Sequence, residues 1–577
     1  MIYRTEHPKP QFMRKNWQNL NGEWQFEIDK SVSGIERGFY KNDFEYSMKI
    51  NVPFCPESKL SGIENVDFLN AVWYRREISI TEEQLKGRVI LHFGAVDYEA
   101  TIYINEQAVG NHKGGYVSFS FDITENLKVG NNTLCVYAKD NTRDTLIPSG
   151  KQSTQYNSYG CYYTRTTGIW QTVWLEFVPN KYIQKAKYFP DIKNGNLDIE
   201  ATVLGDGILK AEAFYEGKPM GKAEIATGGG LNRLHLDLAE THLWEIGNGR
   251  LYDLILTFNE DRVESYFGLR SVRLDGYKFL LNEKSVFQRL ILDQGFYPDG
   301  IYTAPSDDAL KNDIELSLAM GFNGARLHEK VFEERFLYHC DKLGYIVWGE
   351  YPNWGLDHTR PDSILSILPE WLEEIERDYN HPSIIGWCPF NETWDRYGRK
   401  QFDGVIKNVY LVTKATDPYR PCIDTSGNYH EMTDIYDVHN YNQNPSIFRS
   451  HYDTLPTNGN FIDIACSSPE RAARYKDRQK YTPGLPVFIS EYGGIAWSTD
   501  KNGWGYGNAP KTEEEFLSRL EALTDAILEN PCIMGLCYTQ LTNVEQEQNG
   551  LYTYDRKPKF DPTIISRFFK KKAAIED

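Results

Sequence analysis

The sequence contains no apolar run approaching the roughly 18 residues that a helical membrane span requires, so no such span is expected. It has no excess of basic charge. Its 63 Lys and Arg stand against 81 Asp and Glu, and the net charge of −18 repels phosphate backbones, which argues against a nucleic-acid partner. The nine cysteines are scattered and form no C-x-x-C pair. Neither a metal cluster nor a disulfide framework is indicated, and reduced core thiols are the default. The start, MIYRTEHPKPQFMRKNW, lacks the apolar core of a secretory signal. A cytoplasmic chain is therefore expected, with secretion the alternative if a leader has been removed.

What the chain does have is length and aromatic rings. Its 577 residues suggest about three or four domains. Its 41% hydrophobic and 25% charged residues are those of a soluble globular protein. Aromatic residues make up 14%, with 38 Tyr and 13 Trp. Such rings suit the apolar faces of sugars, and they suit large β-cores equally.

Residues 1–180 alternate apolar and polar in short runs such as WYRREISI, GRVILHFGAV and NTLCVYAKD, with turn residues between them. This pattern predicts an antiparallel β-sandwich. Residues 181–270 continue all-β and have the size of an immunoglobulin-like sandwich. From 271 to 577 the period changes. SDDALKNDIELSLAMG places Leu310, Ile314 and Leu318 four apart, and EERFLYHCDKLG ends at Gly344 as a stop signal. TEEEFLSRLEALTDAILEN opens with a capping box, Thr512 to Glu515. Short apolar strands lie between these helices: VFQRLILD, GARLH, YIVWGEYP, IIGWCPFNE, PCIDTSG, IYDVHNY, PVFISEYG and IMGLCYTQ. The alternation predicts a (β/α)8 TIM barrel.

In a barrel of this kind the chemistry sits at the C-terminal ends of the strands. Those ends offer Asp293 and Gln294, Arg326 and His328, Glu350, Asn391 and Glu392, Asp424 and Ser426, His439 and Tyr441, Glu491 and Tyr492, and Tyr538 and Gln540. Apolar strands have no structural need of so many polar ends. Glu392 and Glu491 end two especially apolar strands, the fourth and the seventh, which face each other across the barrel mouth. A carboxylate pair about 5–5.5 Å apart is the arrangement of retaining glycoside hydrolysis. One protonates the leaving oxygen and the other attacks the anomeric carbon. Arg326 is the group that would hold Glu491 as a carboxylate, Tyr441 would donate a hydrogen bond to it, and Asn391 would bond the sugar hydroxyl beside the reacting carbon. Asp293, His328, His439, Tyr538 and Gln540 are read as further substrate contacts. Trp504, in the glycine-rich GWGYGN loop with Tyr506, is read as a cover for the sugar.

The segments GWCPFNETW and PVFISEYGG resemble the acid/base and nucleophile segments of glycoside hydrolase family 2, the family of β-galactosidases, β-glucuronidases and β-mannosidases. TTGIWQTVWLE (Thr166 to Glu176) resembles that family's sugar-binding, jelly-roll sandwich, and NLNGEWQF resembles its opening strand. The resemblance covers the whole chain in the family's order: sandwich, immunoglobulin-like domain, barrel. It implies double displacement with Glu392 as acid/base and Glu491 as nucleophile, and no cofactor.

The chain departs from the family at three places. Glucuronidases of the family carry an Asn-x-Lys that grips the substrate carboxylate; here Glu547-Gln548-Asn549 stands instead, and Glu545 and Glu547 are expected to repel a uronate. Galactosidases and glucuronidases place an Asp in the sandwich where Tyr162 stands here, so Tyr162 is read as a substrate contact that shrinks the pocket. Large galactosidases bind magnesium beside the acid/base through Glu and His; GEYPNW offers Glu350 without the His, so no required metal is expected. The implied activity is an exo-acting retaining glycosidase, β-galactosidase-like. An α-L-arabinofuranosidase is the main alternative, β-xylosidase, β-glucosidase and β-mannosidase follow, and β-glucuronidase is disfavoured. The reading from a different class is a carbohydrate-binding protein without activity. The partner is an oligosaccharide or other glycoside, with no nucleic acid or membrane, and a homo-oligomer is expected.

Overall fold

The computed structural model describes residues 2–427, 429–457, 478–498 and 500–576. The N-terminal region is a sandwich of two main antiparallel sheets. One is six-stranded and centred on Ala71–Ile80 and Gly130–Lys139; the other is four-stranded and includes Val173–Val178 and Arg88–Phe93. Trp24, Phe26, Val72, Leu91, Val136 and Leu175 fill the space between them. The second region pairs a three-stranded sheet with a four-stranded one. In its strand Asn196–Leu204 the residues Leu197, Ile199, Ala201 and Val203 are buried, because the pleat sends alternate side chains to one face. Arg14 ties the two sandwiches together, donating to Glu176 at 3.0 Å and to Asp261 at 2.8 Å.

The C-terminal region is built on seven parallel strands: β1 (Gln288–Asp293), β2 (Gly324–Leu327), β3 (Ile346–Glu350), β4 (Ile384–Cys388), β5 (Tyr436–Asn440), β6 (Val487–Gly493) and β7 (Ile533–Thr539). They pair in the order β4-β3-β2-β1-β7-β6-β5. Every residue of these strands is buried, as expected for strands enclosed on both faces. The helices between them start and stop where local chemistry directs. Ser306 caps α1 (Asp307–Ala319) by accepting from Ala309 N. Gly344 ends α2 (Glu334–Leu343) in the left-handed region at φ 66°, which glycine adopts without strain. Thr512 caps the helix Glu513–Leu528 by accepting from Glu515 N, while the Glu515 carboxylate reaches back to Lys511 N at 2.8 Å rather than to Thr512.

PCIDTSG, the expected fifth of eight strands, is not a strand. Residues 421–427 make only two isolated parallel bridges to the β4 side, Trp387 with Cys422 and Asn391 with Ser426. The physical reason lies in its donors. Cys422 N, Thr425 N and Gly427 N go to the side chains of Asp434, Asp424 and Asp437 instead of to a neighbouring strand. The sheet is therefore closed toward β5 through side chains: Ser426 Oγ donates to Asp437 Oδ2 at 2.6 Å.

The first sandwich docks on the barrel mouth. Tyr116, Tyr163 and Trp170 share one continuous core with Phe296, Tyr302 and Tyr351 of the barrel. Tyr116 N donates to Glu370 Oε1 at 2.6 Å, and Thr303 Oγ1 donates to Trp170 O at 2.5 Å. The loop 149–165 is held from two sides. Ser149 N donates to Trp354 O at 2.7 Å, and Trp504 Nε1 and Gln546 Nε2 both donate to Gly160 O at 2.7 Å. The eight described cysteines are free thiols, and Cys466 lies outside the described residues. Among the described residues no helix is long and apolar enough to cross a membrane.

Candidate active site

Strand β4 ends at Cys388, and Pro389-Phe390 carries the chain out of the sheet toward the mouth. Asn391 is then fixed at its backbone: its N donates to Asn353 Oδ1 at 2.7 Å, and its carbonyl accepts from Asn353 Nδ2 at 3.1 Å and from Trp354 Nε1 at 3.0 Å. Glu392 adopts φ 44°, a region that non-glycine residues rarely occupy, and its N donates to Ser426 O at 2.9 Å. Such a conformation costs about 1 kcal/mol or more and concentrates at functional sites.

Glu491 stands within β6 and is 4% exposed. Its Oε1 accepts from Arg326 Nη1 at 3.1 Å, and its Oε2 accepts from the Tyr441 hydroxyl. Tyr441 is held in turn by Thr539 Oγ1 at 3.0 Å and by stacking on Tyr506, centroids 3.5 Å apart and planes 8° apart. A carboxylate oxygen of Glu392, one of Glu491 and a nitrogen of His439 all lie within 4.8 Å of one another.

Arg326 is the hub beneath this pair, 1% exposed. Its Nε and Nη2 grip Glu350 at 2.5 and 3.1 Å, Nη1 reaches Ser490 O at 2.9 Å as well as Glu491, and Nη2 donates to Asn391 Oδ1 at 3.0 Å. The planar fork serves four acceptor groups at once, which a lysine's single ammonium has too few donors and the wrong shape to do. By fixing the Asn391 oxygen it also sets the direction of the Asn391 amide N–H₂. Both Glu350 oxygens are committed to Arg326.

His439 links the two carboxylates. Its Nδ1 lies 2.7 Å from Glu392 Oε1 and 3.4 Å from Glu491 Oε2. Its Nε2 lies 3.0 Å from Ser426 Oγ, whose own hydrogen goes to Asp437. Nδ1 thus faces carboxylate acceptors, while Nε2 also lies 3.4 Å from the Arg326 Nη1 donor. Burial pushes the imidazole down, but Glu491 and Glu392 outweigh it and hold His439 above its ordinary value. Reciprocally, burial pushes Glu392 up, and the His439 hydrogen bond and charge, with Lys151 and Arg326, bring it below the usual carboxylate range. Both shifts act in the same direction, favouring a charged His439 against an ionised Glu392. Gly427 (φ 70°) runs so close to this ring that a Cβ there would lie 2.1 Å from His439 Nδ1. His328 sits at the edge of the cluster, its Nδ1 3.5 Å from Glu350 and 3.9 Å from Glu491, and burial holds it well below the ordinary imidazole value.

Three expected contacts do not reach the pair. Asp293 accepts from Gly295 N at 2.9 Å, and burial and Asp313 push its carboxyl up to about 7. Tyr538 is fully buried under Gly493 and edge-on to Tyr492. Gln540 belongs to an interface network, accepting from Gln294 at 2.6 Å and donating to Asn549 at 2.8 Å. A buried amide or acid at a strand end serves domain docking here, where the sequence gives the same signal as for substrate binding. Tyr162 is separated from Asn391 by the Trp354 ring, and Trp504 from Glu491 by the Tyr506 and Tyr441 rings. Tyr162 tilts over Trp354 at 5.3 Å, and Trp504 meets Tyr506 edge-on at 5.5 Å.

Glu545 and Glu547, which the sequence reading sets against a uronate, are bonded to the sandwich domain and to Asn549. Glu545 accepts from Thr164 N at 3.0 Å, and Glu547 accepts from the Tyr163 hydroxyl and from Asn549 Nδ2 at 3.1 Å, so both face the sandwich. Lys151 and Trp354 carry no comparable sequence signal. Both lie on loops, where no periodicity marks a residue as inward-facing. Glu392, His439 and Glu491 are also near enough to share a cation. A cation there would occupy both carboxylates of the pair.

Comparison with known proteins agrees with this architecture. Residues 17–176 match the sugar binding domain of glycosyl hydrolases family 2, and residues 303–499 match the TIM barrel domain of the same family. The chain is 26% identical over 408 residues to a β-galactosidase of Thermoanaerobacter pseudethanolicus, covering 65% of this chain and 52% of that one. It is 22% identical over 619 residues to a β-glucuronidase of Streptococcus agalactiae, covering 96% of each. It spans only 58% and 52% of two longer curated relatives that it matches. A solved structure of a β-glucuronidase from Ruminococcus gnavus in complex with D-glucuronic acid superposes with a TM-score of 0.78 at 19% identity, over 98% of this chain and 100% of that one, and shares the fold. The two family domains, in their order along one chain and around one carboxylate pair, place this protein in glycoside hydrolase family 2.

Proposed function

We propose that the chain is an exo-acting retaining glycoside hydrolase, β-galactosidase-like in its sugar, with Glu491 as nucleophile and Glu392 as acid/base. The observation that carries this reading is the approach of the Glu392 and Glu491 oxygens to within 4.8 Å at the mouth of the barrel. Retaining enzymes hold their carboxyl groups about 5–5.5 Å apart, and inverting enzymes leave room for a water between them. In the first step a Glu491 oxygen bonds the anomeric carbon as the bond to the leaving oxygen breaks. The proton shared by Glu392 and His439 moves to that oxygen. In the second step Glu392 takes a proton from water, the hydroxide oxygen bonds the anomeric carbon, and Glu491 leaves. Arg326 and Tyr441 hold Glu491 in one orientation throughout, and Asn391 presents its amide to the neighbouring sugar hydroxyl. The docked loop 149–165 and the 545–549 segment are tied together by Thr164 N to Glu545 and Gln546 Nε2 to Gly160 O, and closure by the sandwich on that side would favour removal of terminal sugars. A panel of nitrophenyl glycosides tests the proposal: hydrolysis with retained anomeric configuration is expected, and no turnover of any sugar would overturn it.

A second reading, a uronide or other acidic glycoside, is favoured by one observation. Glu545 and Glu547, which were expected to repel such a substrate, are turned to the sandwich.

A further inference from the structure

The sandwich domain sends one cation to the candidate site. Lys151, in the docked loop, is 6% exposed. Among the described residues its Nζ makes no hydrogen bond and has no carboxylate in salt-bridge contact; its one close partner is the Trp354 ring, 4.2 Å from Nζ to centroid. Trp354 is also the residue whose Nε1 holds the Asn391 carbonyl, next to Glu392. The fold satisfies a buried ammonium fully elsewhere. Lys330, 3% exposed and likewise set against aromatic rings, donates to Gly295 O at 2.5 Å and to Tyr302 O at 2.8 Å. Lys151 Nζ is not one of the enclosed unpaired atoms, so its open side is accessible and the acceptor that the protein does not provide can come from solvent or from a ligand.

The charge at this point acts on the site. Burial pushes Lys151 down, and Cys161, Glu547 and Glu491 around it outweigh that and hold it above the ordinary lysine value, so it stays a cation. Glu329, another neighbour, also contributes to holding Lys151 up, while burial pushes its own carboxyl well above the usual range. Lys151 in turn contributes to lowering both Glu392 and His328.

We infer that Lys151 is an anion-recognising group of the substrate pocket, and that the preferred glycoside carries an oxyanion, a carboxylate or a sulfate ester, on the sugar edge that faces the sandwich domain. The inference rests on the glycosidase reading and narrows it. The departing bond is unchanged; what changes is which sugar is held over it. The recognition is supplied by the sandwich rather than by the segment after β7, where the chain has no lysine in the Asn-x-Lys position.

The test uses the full chain and its Lys151→Met and Lys151→Arg variants. Met keeps the apolar stem on Trp354 and removes the charge, and Arg keeps the charge. kcat/KM is measured on nitrophenyl β-galactoside, the matching galacturonide and the galactoside sulfate ester, and on the glucose-configured set. The expected result is a wild-type preference for an anionic member, with the anionic-to-neutral ratio falling at least about tenfold in Lys151→Met and largely kept in Lys151→Arg. Which anion leads separates carboxylate from sulfate. A ratio that does not move, or a wild-type preference for the neutral sugars, overturns the inference. If Lys151→Met fails to fold, the salt dependence of wild-type inhibition by free galacturonate against galactose decides. Stronger inhibition by the acid, weakening with salt, supports the inference, and equal inhibition refutes it. If the wild type hydrolyses none of the glycosides, the glycosidase reading fails, and calorimetry with galacturonate, glucuronate and their neutral sugars then decides on Lys151 alone. Binding of an acid but not its neutral partner, lost in Lys151→Met, supports it, and equal or absent binding overturns it.

Discussion

Replacing Arg326 with methionine removes the donors that serve Glu350, Glu491, Ser490 O and Asn391. Glu350 and Glu491 are 2% and 4% exposed, so two carboxylates lose their buried partner. Removing one member of a buried ion pair costs about 3–5 kcal/mol, because the charge left behind is uncompensated. Arg326→Met should therefore melt several degrees below wild type. Adding Glu350→Gln removes one of the two stranded charges and should return at least about 1 kcal/mol of the loss. Activity should not return with it. Asn391 and Glu491 would still lack the group that orients them, and misplacement by about 1 Å costs about a hundredfold in rate. The assay is urea unfolding together with kcat on an activated glycoside for wild type, both single variants and the double. A double variant that regains both stability and at least a tenth of the wild-type rate would show that Arg326 only locks strands and would refute its role in positioning the pair.

Glu392→Ala should lose most activity on substrates with poor leaving groups and least on nitrophenyl glycosides, with azide partly rescuing the activated ones; equal losses and no rescue would point to another acid. The proton of the Glu392–His439 pair is held by an imidazole raised above its ordinary value of about 6.5, so it is bound below that pH and lost as pH rises through the raised value. The alkaline limb of the kcat/KM profile should thus lie above about pH 6.5 and should move to lower pH in His439→Gln, where the proton is left to a carboxyl; an unmoved limb would exclude His439. Glu350 is fully engaged by Arg326, and a cation between Glu392 and Glu491 would block both. Chelator treatment should therefore leave turnover intact, and a large loss restored by magnesium would reverse that expectation.

Glu392 and Glu491 were legible because an acid at the end of an apolar strand has no packing reason to be there. Arg326, Tyr441 and Asn391 carried the same signal, and the structure brings them together. That signal has a second meaning, however. Asp293, Tyr538 and Gln540 also end apolar strands, and they serve a turn, core packing and domain docking respectively, uses that only tertiary contacts reveal. The fifth strand differs from expectation for a related reason. PCIDTSG has the apolar length of a strand, but Asp424, Asp434 and Asp437 capture the amides a ladder needs. Lys151 and Trp354 left no periodic trace at all. Their place depends on how a loop of one domain settles on the mouth of another.

The most direct test of the account is to trap the covalent intermediate. A fluorinated glycoside with a good leaving group slows the second step and leaves the sugar on the nucleophile. Intact mass followed by peptide mapping should show one sugar per chain, attached at Glu491, with activity lost in proportion to labelling and no label on Glu491→Gln. A label on any other residue, or steady hydrolysis with inversion and no label, would contradict the double-displacement assignment.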